Sequence, residues 1–317
     1  MLYPVSAPIP DSIDDRFGYI DEGGNVFVPI SYSACSHFFE GKASVVDEAG
    51  KTGFIDGKGR LAIPHQFEGL GRFHDGVCPT GGGYINHLGD WLIPPKFLVT
   101  GAFSEGRAFA STDGHKIGVI DFTGNFVISP RFEQCSHYSE GLAAVCVDGR
   151  WGYIDRAGKM EIPTVFEPPC ARLFRNGIAG VRIDGRWGFI DRSGNFAIKP
   201  AYEALQQFSE GCACVKQDGR WGTIDTDGQQ ILKCRFDRIE PLNSGMAPAE
   251  IDRKAGFISA SGKWLIDPKF DRCFSFFGNL AVVKLARTYS YIRRGGQIVW
   301  TSQPQAQLQY PPQPFFV

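Results

Sequence analysis

One unit of about 34 residues recurs along the chain, and this repeat constrains the fold more than any other feature of the sequence. It is plainest in three central segments: DGRWGYIDRAGKMEIP from Asp148, DGRWGFIDRSGNFAIKP from Asp184 and DGRWGTIDTDGQQILK from Asp218. The glycine of the Trp-Gly step recurs at Gly18, Gly53, Gly83, Gly118, Gly152, Gly188, Gly222 and Gly256, in steps of 30 to 36 residues. Units this short bury too little surface alone, so they must pack on their neighbours as an array.

Two further markers share the same period. An aromatic-x-acid-Gly step ends at Gly41, Gly76, Gly106, Gly141 and Gly211. An Ile followed by an aromatic residue four positions later gives the pairs Ile93 and Phe97, Ile128 and Phe132, Ile162 and Phe166, Ile198 and Tyr202, and Ile266 and Phe270. Three markers in phase exclude a chance resemblance between segments.

Each unit is predicted to form three short antiparallel strands. An alternating apolar run at 142–147 leads into Asp148-Gly149, the strongest two-residue hairpin signal. The return strand covers 150–155 and ends in an Asp-x-x-Gly turn. A third strand ends at Pro163, since proline cannot donate to a ladder. The segment that follows has room for a fourth short strand, and the fold class is all-β.

The segments RWGYID, RWGFID and RWGTID resemble the WG-repeat family, also called the KWG-repeat family. The resemblance covers about residues 16–300. The outer copies depart from it: the Trp position holds Phe17, Thr52, Gly82, Ile117 and Ala255, and the turn Asp is replaced by Asn86 and Ser259. The resemblance implies a non-catalytic, all-β repeat scaffold used as an interaction module, without a known ligand.

Two architectures satisfy the need for stacking, and the sequence favours an open β-solenoid or superhelix over a closed β-propeller. The WG-type strand occurs nine times, but the first copy lacks a matching strand ahead of it. Propellers often close by sharing one blade between the chain ends, whereas the last copy here looks complete. We therefore expect an N-terminal cap segment at 1–15, an array of about eight full repeats and a partial one at 16–300, and a Pro/Gln-rich tail at 301–317.

The arginines and tryptophans of the central copies form the candidate binding face. It comprises Arg150, Trp151, Arg186, Trp187, Arg220 and Trp221. In the structural interpretation, the Trp stacks on the neighbouring unit and Gly152 makes room for a bulky cross-strand partner. In the functional interpretation, the Trp residues form an exposed ladder for sugar rings or a peptide. The remaining periodic positions, Gly18, Gly53, Gly118, Gly152, Gly188, Gly222, Gly256, Asp155, Asp191 and Asp225, are expected to be structural.

Other polar residues also recur with the repeat. The glutamates Glu40, Glu105, Glu140 and Glu210 form a row rather than a unique pair, so we expect them to cap turns instead of catalysing a reaction. The turn aspartates lack the later ligands of a calcium loop. Two Cys-Ser-His segments, with Cys35 and His37 and with Cys135 and His137, occupy the same phase; a buried Cys/His ladder is favoured over a metal site or a redox role.

Composition narrows the classes of partner. With 33 basic and 34 acidic residues the net charge is −1, so nucleic acid and anionic membranes are disfavoured. No apolar stretch is long enough for a membrane helix, the start resembles no secretory signal, and nine cysteines fit a reducing compartment. We expect a cytoplasmic monomer without metal or cofactor.

The sequence predicts a non-enzymatic scaffold that binds a protein or peptide along an extended β surface. A glycan-binding module that uses the aromatic ladder is the first alternative. An enzyme with its site in the channel of a closed propeller is the second.

Overall fold

The computed structural model describes residues 1–8, 15–169 and 173–302, and the chain divides into two compact units. The first unit is Met1–Phe103 with Phe277–Val317, and the second is Ser104–Phe276. The described residues form 33 strands: β1 (Tyr3–Pro8), β2 (Asp15–Ile20), β3 (Val26–Tyr32), β4 (Ala34–Cys35), β5 (Lys42–Val46), β6 (Thr52–Asp56), β7 (Leu61–Phe67), β8 (Val77–Thr80), β9 (Gly83–Asn86), β10 (Trp91–Ile93), β11 (Val99–Thr100), β12 (Ala108–Ser111), β13 (Ile117–Ile120), β14 (Phe126–Phe132), β15 (Gln134–Cys135), β16 (Ala143–Val147), β17 (Arg150–Ile154), β18 (Met160–Phe166), β19 (Ile178–Ile183), β20 (Arg186–Asp191), β21 (Phe196–Tyr202), β22 (Ala204–Leu205), β23 (Ala213–Gln217), β24 (Arg220–Ile224), β25 (Gln230–Phe236), β26 (Arg238–Ile239), β27 (Ala247–Ile251), β28 (Lys254–Ile258), β29 (Trp264–Phe270), β30 (Arg272–Cys273), β31 (Leu280–Leu285), β32 (Thr288–Arg293) and β33 (Ile298–Thr301).

These strands form antiparallel sheets of three or four strands, one for each repeat. The first unit holds the sheets β1-β2-β3, β4-β5-β6-β7, β8-β9-β10 and β31-β32-β33. The second holds β12-β13-β14, β15-β16-β17-β18, β19-β20-β21, β22-β23-β24-β25 and β26-β27-β28-β29. The fourth strand, where present in these sheets, has only two residues. The predicted three-stranded repeat is therefore confirmed, with the extra short strand in several copies.

The Asp-Gly dipeptide forms the predicted hairpin turn. Asp148 and Gly149 have φ of 49° and 71°, which are the left-handed conformations that a type I′ turn requires. The flanking strands pair from Ala143 with Ile154 to Val147 with Arg150.

The Trp-Gly glycine lies beneath a bulge in the third strand. Trp151 pairs with Phe166 and Tyr153 pairs with Ile162, so residues 163–165 all lie opposite Gly152. A Cβ on Gly152 would lie 2.5 Å from the carbonyl oxygen of Ile162. The space is therefore taken by the main chain of the third strand, not by the bulky side chain that the sequence analysis expected. The other glycines of the series are equally confined, with 2.3 to 2.8 Å from the same kind of carbonyl oxygen.

The hydrophobic core is a series of layers between successive sheets. In the second unit, Phe132, Tyr138 and Val145 belong to one buried cluster that joins β12-β13-β14 to the following sheet. Trp151 and Val181 belong to the next layer. Each sheet thus buries both faces only because its neighbours cover them, as the array argument requires.

The expectation of an open solenoid or superhelix is wrong, because the beginning of the chain packs against its end within the first unit. Tyr3 and Val5 of β1 share a buried cluster with Leu280 and Tyr291 of the last sheet. The Tyr291 hydroxyl donates to the carbonyl oxygen of Pro4 at 2.7 Å. An open array would keep its first and last repeats apart. The nine sheets are instead the blades of a β-propeller, the alternative architecture.

The open array was expected because the first repeat appeared, from the sequence, to lack a strand. Strand β1 pairs with β2 from Tyr3 with Ile20 to Pro8 with Asp15. It supplies the strand that seemed to be missing, so the first sheet is complete and no blade is shared between the ends. The sequence YPVSAP hides this strand, because it carries two prolines and no Asp-Gly hairpin follows it. Residues 3–8 of the expected N-terminal cap segment are thus a strand of the first sheet.

The expected tail begins at residue 301, but residues 303–317 lie outside the described residues. Strand β33 ends at Thr301, and the Ser302 N–H donates to the Tyr289 carbonyl oxygen at 2.8 Å. Over the described ranges, the structure has no helix with the length and apolar character needed to cross a membrane.

Candidate interaction surface

The acid-Gly turns connect each repeat to the next. Glu140 has a φ of 53° and, with Gly141, forms a tight turn between Ser139 and Leu142. Its carboxylate accepts hydrogen bonds from the N–H groups of Asn176 at 2.6 Å and Gly177 at 2.9 Å, which belong to the corresponding turn of the next repeat. Glu40, Glu105 and Glu210 make the same kind of bond to Gly76, Gly141 and Gly245. The four periodic glutamates therefore connect the turn of one repeat to the turn of the next.

Serines precede three of these glutamates and bond in the opposite sense, whereas Phe39 precedes Glu40. The hydroxyls of Ser104, Ser139 and Ser209 each donate to a carbonyl oxygen of the next repeat at 2.7 Å. The Ser-Glu pair thus satisfies one acceptor and at least one donor of the neighbouring turn. Since buried main-chain groups are costly to leave unpaired, this explains why both residues recur.

The turn aspartates cap their own turns. Asp155 Oδ1 accepts from the N–H groups of Ala157 at 2.9 Å and Lys159 at 2.8 Å. Asp191 and Asp225 cap the corresponding turns of their sheets, five residues before the third strand begins. The side chain and main-chain N–H of Arg60 hold the pKa of Asp56 at about 2, below its usual range. Such carboxylates are engaged with their own loop.

The proposed aromatic ladder is not on the surface. Trp151 and Trp187 are buried, with 3% and 6% of their surface exposed, and Trp221 is half-buried. Each indole occupies the layer between two sheets, which is the structural interpretation of these residues. The arginines beside them, Arg150, Arg186 and Arg220, are exposed.

A periodic acid that the sequence analysis missed accompanies these arginines. Glu167 follows the third strand β18 and lies 3.9 Å from Arg150 Nη1. It also accepts from the N–H of Gly185, in the hairpin turn of the next repeat, at 3.0 Å. Asp237 forms an ion pair with Arg220, and Glu133 accepts from Gly149 N–H, which lowers its pKa. The signal was in the sequence, as an acid 17 residues after the basic residue in six of the WG strands, those with Lys51, Lys116, Arg150, Arg186, Arg220 and Lys254.

One glutamate is buried among the described residues, and it too was missed. Glu240 accepts from Arg238 Nη2 at 2.6 Å and from the Ser275 hydroxyl at 3.1 Å. In the equivalent position Ser136 accepts from the N–H of Ala144, but here the facing residue is Pro248, which has no N–H. The carboxylate is therefore directed to other donors, and the ion pair offsets its burial.

Exposed apolar side chains recur at the start of the third strands. Trp91 has 41% of its surface exposed, and Ile231 has 42%. The whole series comprises Val26, Phe27, Leu61, Trp91, Leu92, Val127, Met160, Phe196, Ile231, Leu265 and Ile298. We call it the outer apolar series. Neither the Trp-Gly motif nor the acid-Gly motif pointed to it, because these positions vary in residue type.

In the two Cys-Ser-His segments only Cys35 is buried, whereas His37, Cys135 and His137 are half-buried, so the expected buried Cys/His ladder is met at one position. Burial raises the pKa of the Cys35 thiol to about 12, and its neighbour is the Tyr19 hydroxyl. The His37 ring packs 4.8 Å from the ring of Phe277. Cys212 and Cys214 are buried, and burial raises the pKa of both thiols. In the described part of the chain, no group of three or more His, Cys, Asp or Glu residues is placed to hold a metal ion.

Two solved structures resemble this arrangement of sheets. One is the computationally designed Ika8 protein, at 15% identity and a TM-score of 0.50, covering 83% of this chain and 93% of that one. The other is a eukaryotic initiation factor, at 14% identity and a TM-score of 0.54, covering 79% and 81%. At these identities the likeness shows the fold alone. No curated protein sequence matches the chain.

Fold and periodic contacts together define a β-propeller built from repeats that are joined by their own turn residues. The family model for the WG containing repeat matches residues 17–50, 53–80, 83–114, 117–151, 151–187, 187–221, 221–254 and 256–299. The chain therefore belongs to the WG-repeat family, as its motifs predicted.

Proposed function

We propose that this protein is a non-catalytic scaffold that binds a partner protein or peptide through the outer strands of its sheets. The observation that carries this proposal is the outer apolar series, which presents one or two large apolar side chains per repeat to solvent. These side chains recur with the repeat, and exposed apolar surface marks interaction sites in soluble proteins. Repeat proteins bind through such extended surfaces.

The periodic polar residues support the same proposal. The carboxylates that recur with the repeat, such as Glu140 and Asp155, accept hydrogen bonds from turn N–H groups. A general acid or base needs a carboxylate within reach of a substrate. These carboxylates instead stabilise the turns within and between repeats, as expected for a scaffold.

The glycan-binding alternative depends on exposed tryptophan rings, and Trp151 and Trp187 are buried. No observation favours it.

Two triple variants test the proposal against the face expected from the sequence. The first replaces Val127, Met160 and Phe196 of the outer apolar series by serine. The second replaces Arg150, Arg186 and Arg220 by glutamate. Proteins retained by the wild-type chain at near-equal stoichiometry would be purified, and their binding measured by calorimetry. We expect the serine variant to lose binding and the glutamate variant to keep it. Equal binding by the wild type and the serine variant contradicts the proposal.

A further inference from the structure

The outer strands of the sheets differ in one respect that bears on what they bind. Strands β3, β7, β14, β18, β21 and β29 carry a proline at their fourth or fifth position, for example Pro163 and Pro200. Strand β25, Gln230–Phe236, has Lys233 and Cys234 at these two positions. It is the one seven-residue third strand among the described residues without a proline.

Strand β25 is an edge of its sheet. The strand order is β22-β23-β24-β25, and β25 pairs on one side with β24. Among the residues that the structure describes, no strand pairs with its other side. Edge strands offer main-chain N–H and C=O groups to another extended chain, and proline is a common way of preventing this.

A comparison of β25 with β21 and β18 indicates which main-chain N–H groups of β25 are not needed for pairing within its sheet. Its bulge matches that of β21: a Cβ on Gly222 would lie 2.8 Å from Cys234 N, and a Cβ on Gly188 would lie 2.7 Å from Pro200 N. Because Pro200 fits this place without an N–H, the ladder does not require one there. Cys234 therefore keeps a donor that the sheet does not need. The same argument applies to Lys233, whose place is taken by Pro163 in β18.

The side chains of β25 define the partner. Ile231, Lys233 and Arg235 alternate along the strand and are all exposed, whereas Phe236 is buried. Two cations on this face oppose pairing with a second copy of β25, which would place like charges opposite one another. They favour an extended segment with acidic residues, and Ile231 offers an apolar contact beside them.

We propose that the outer edge of β25 is a docking site for an extended acidic segment of a partner protein, which adds to the sheet as a further strand. This inference rests on the proposed scaffold function and assigns it one site and one class of partner. Main-chain hydrogen bonds to the bulge supply the pairing, and carboxylates opposite Lys233 and Arg235 supply the charge selectivity.

The test uses the full chain and a fluorescein-labelled peptide, Glu-Val-Glu-Thr-Glu-Val-Glu, with fluorescence anisotropy as the readout. A peptide with lysine in place of every glutamate is the control probe. We expect saturable binding of the acidic peptide alone, weakened by added salt. Hydrogen exchange at Lys233 and Cys234 slows when the acidic peptide is bound.

Three variants separate the main-chain contribution from that of the side chains. Cys234→Pro removes the N–H and raises the Kd by about tenfold, the effect of one lost hydrogen bond. Cys234→Ala keeps the N–H and the wild-type Kd. The double variant Lys233→Glu and Arg235→Glu, at exposed positions, reverses the preference between the two peptides. Lys199→Glu on the proline-blocked strand β21 is the matched control and leaves binding unchanged.

Three results would overturn the inference: no binding of the acidic peptide, equal binding of both peptides, or unchanged preference in the charge-reversed double variant. If Cys234→Pro fails to fold, the double variant decides. A partner that still requires Val127, Met160 and Phe196 but ignores the β25 variants would leave the scaffold function intact and refute this site. If the serine variant affects no partner but the peptide results are as expected, the site on β25 stands. The role of the outer apolar series in the proposed function is then refuted.

Discussion

Gly152→Ala tests the claim that the Trp-Gly glycine exists to let the third strand pass over it. The new Cβ would lie 2.5 Å from the Ile162 carbonyl oxygen and 2.7 Å from both the carbonyl carbon and oxygen of Pro163. All three are main-chain atoms of the bulge, so no side-chain rotation relieves the overlap. Overpacking of this kind costs about 1 to 3 kcal/mol.

The gain from restricting the unfolded chain is smaller, at about 0.4 to 1 kcal/mol. The difference between the overpacking cost and this gain is the net change in the free energy of unfolding. Since three contacts are too short at once, we expect a net loss of about 2 kcal/mol, near the upper end of that difference. Urea denaturation followed by tryptophan fluorescence measures it, because the buried Trp151 is adjacent.

The matched control is Gly57→Ala. A Cβ on Gly57 meets no atom within 4 Å, so the change in unfolding free energy should stay within about 0.5 kcal/mol. A Gly152→Ala protein that unfolds at the same urea concentration as the control would refute the steric argument. It would mean that the bulge moves away at little cost and that the glycine recurs for another reason.

Three further predictions concern the contacts between and within repeats. Glu140→Ala removes two charge-assisted hydrogen bonds to the next turn and should lower the unfolding free energy by about 1.5 to 3 kcal/mol, measured by urea denaturation; no change would show that the inter-repeat bonds are dispensable. Tyr291→Phe removes the hydroxyl bonded to the Pro4 carbonyl and should cost about 1 kcal/mol, with faster hydrogen exchange in β1; unchanged exchange there would contradict it. Acidification should destabilise the fold as pH falls from about 4 towards 2, because the lowered pKa of Asp56 favours the folded state only while its carboxylate is charged; in Asp56→Asn the slope of stability against pH in this window should be smaller, and an identical slope would contradict the assignment.

The sequence predicted the local structure of each repeat because local signals determine it. The Asp-Gly turn at Asp148 fixes the hairpin register, and the Asp155 turn fixes the start of the third strand. Both depend on residues within a few positions of each other. The same holds for the family assignment, which rests on six-residue motifs.

Closure was not predictable in the same way, because it depends on contacts between residues far apart in the sequence. Strand β1 carries none of the repeat markers, and only its partner β2 and the last sheet identify its role. The sequence did not point to the outer apolar series, on which the proposed function rests, for a related reason. The motif residues attract attention, yet Trp151 is buried and Glu140 is bonded, whereas the exposed residues such as Ile231 vary from copy to copy.

The contact between the two ends of the chain also sets the order of events during synthesis. The N–H of Asn279 donates to the Tyr3 hydroxyl across 276 positions of sequence. Each central sheet is complete once about 34 residues have left the ribosome, so the array can be assembled progressively. The apolar face of β1, however, stays uncovered until residues near 280–291 are made. Until then Tyr3 and Val5, which are buried in the complete structure, lack their cover, and this apolar face is prone to aggregation.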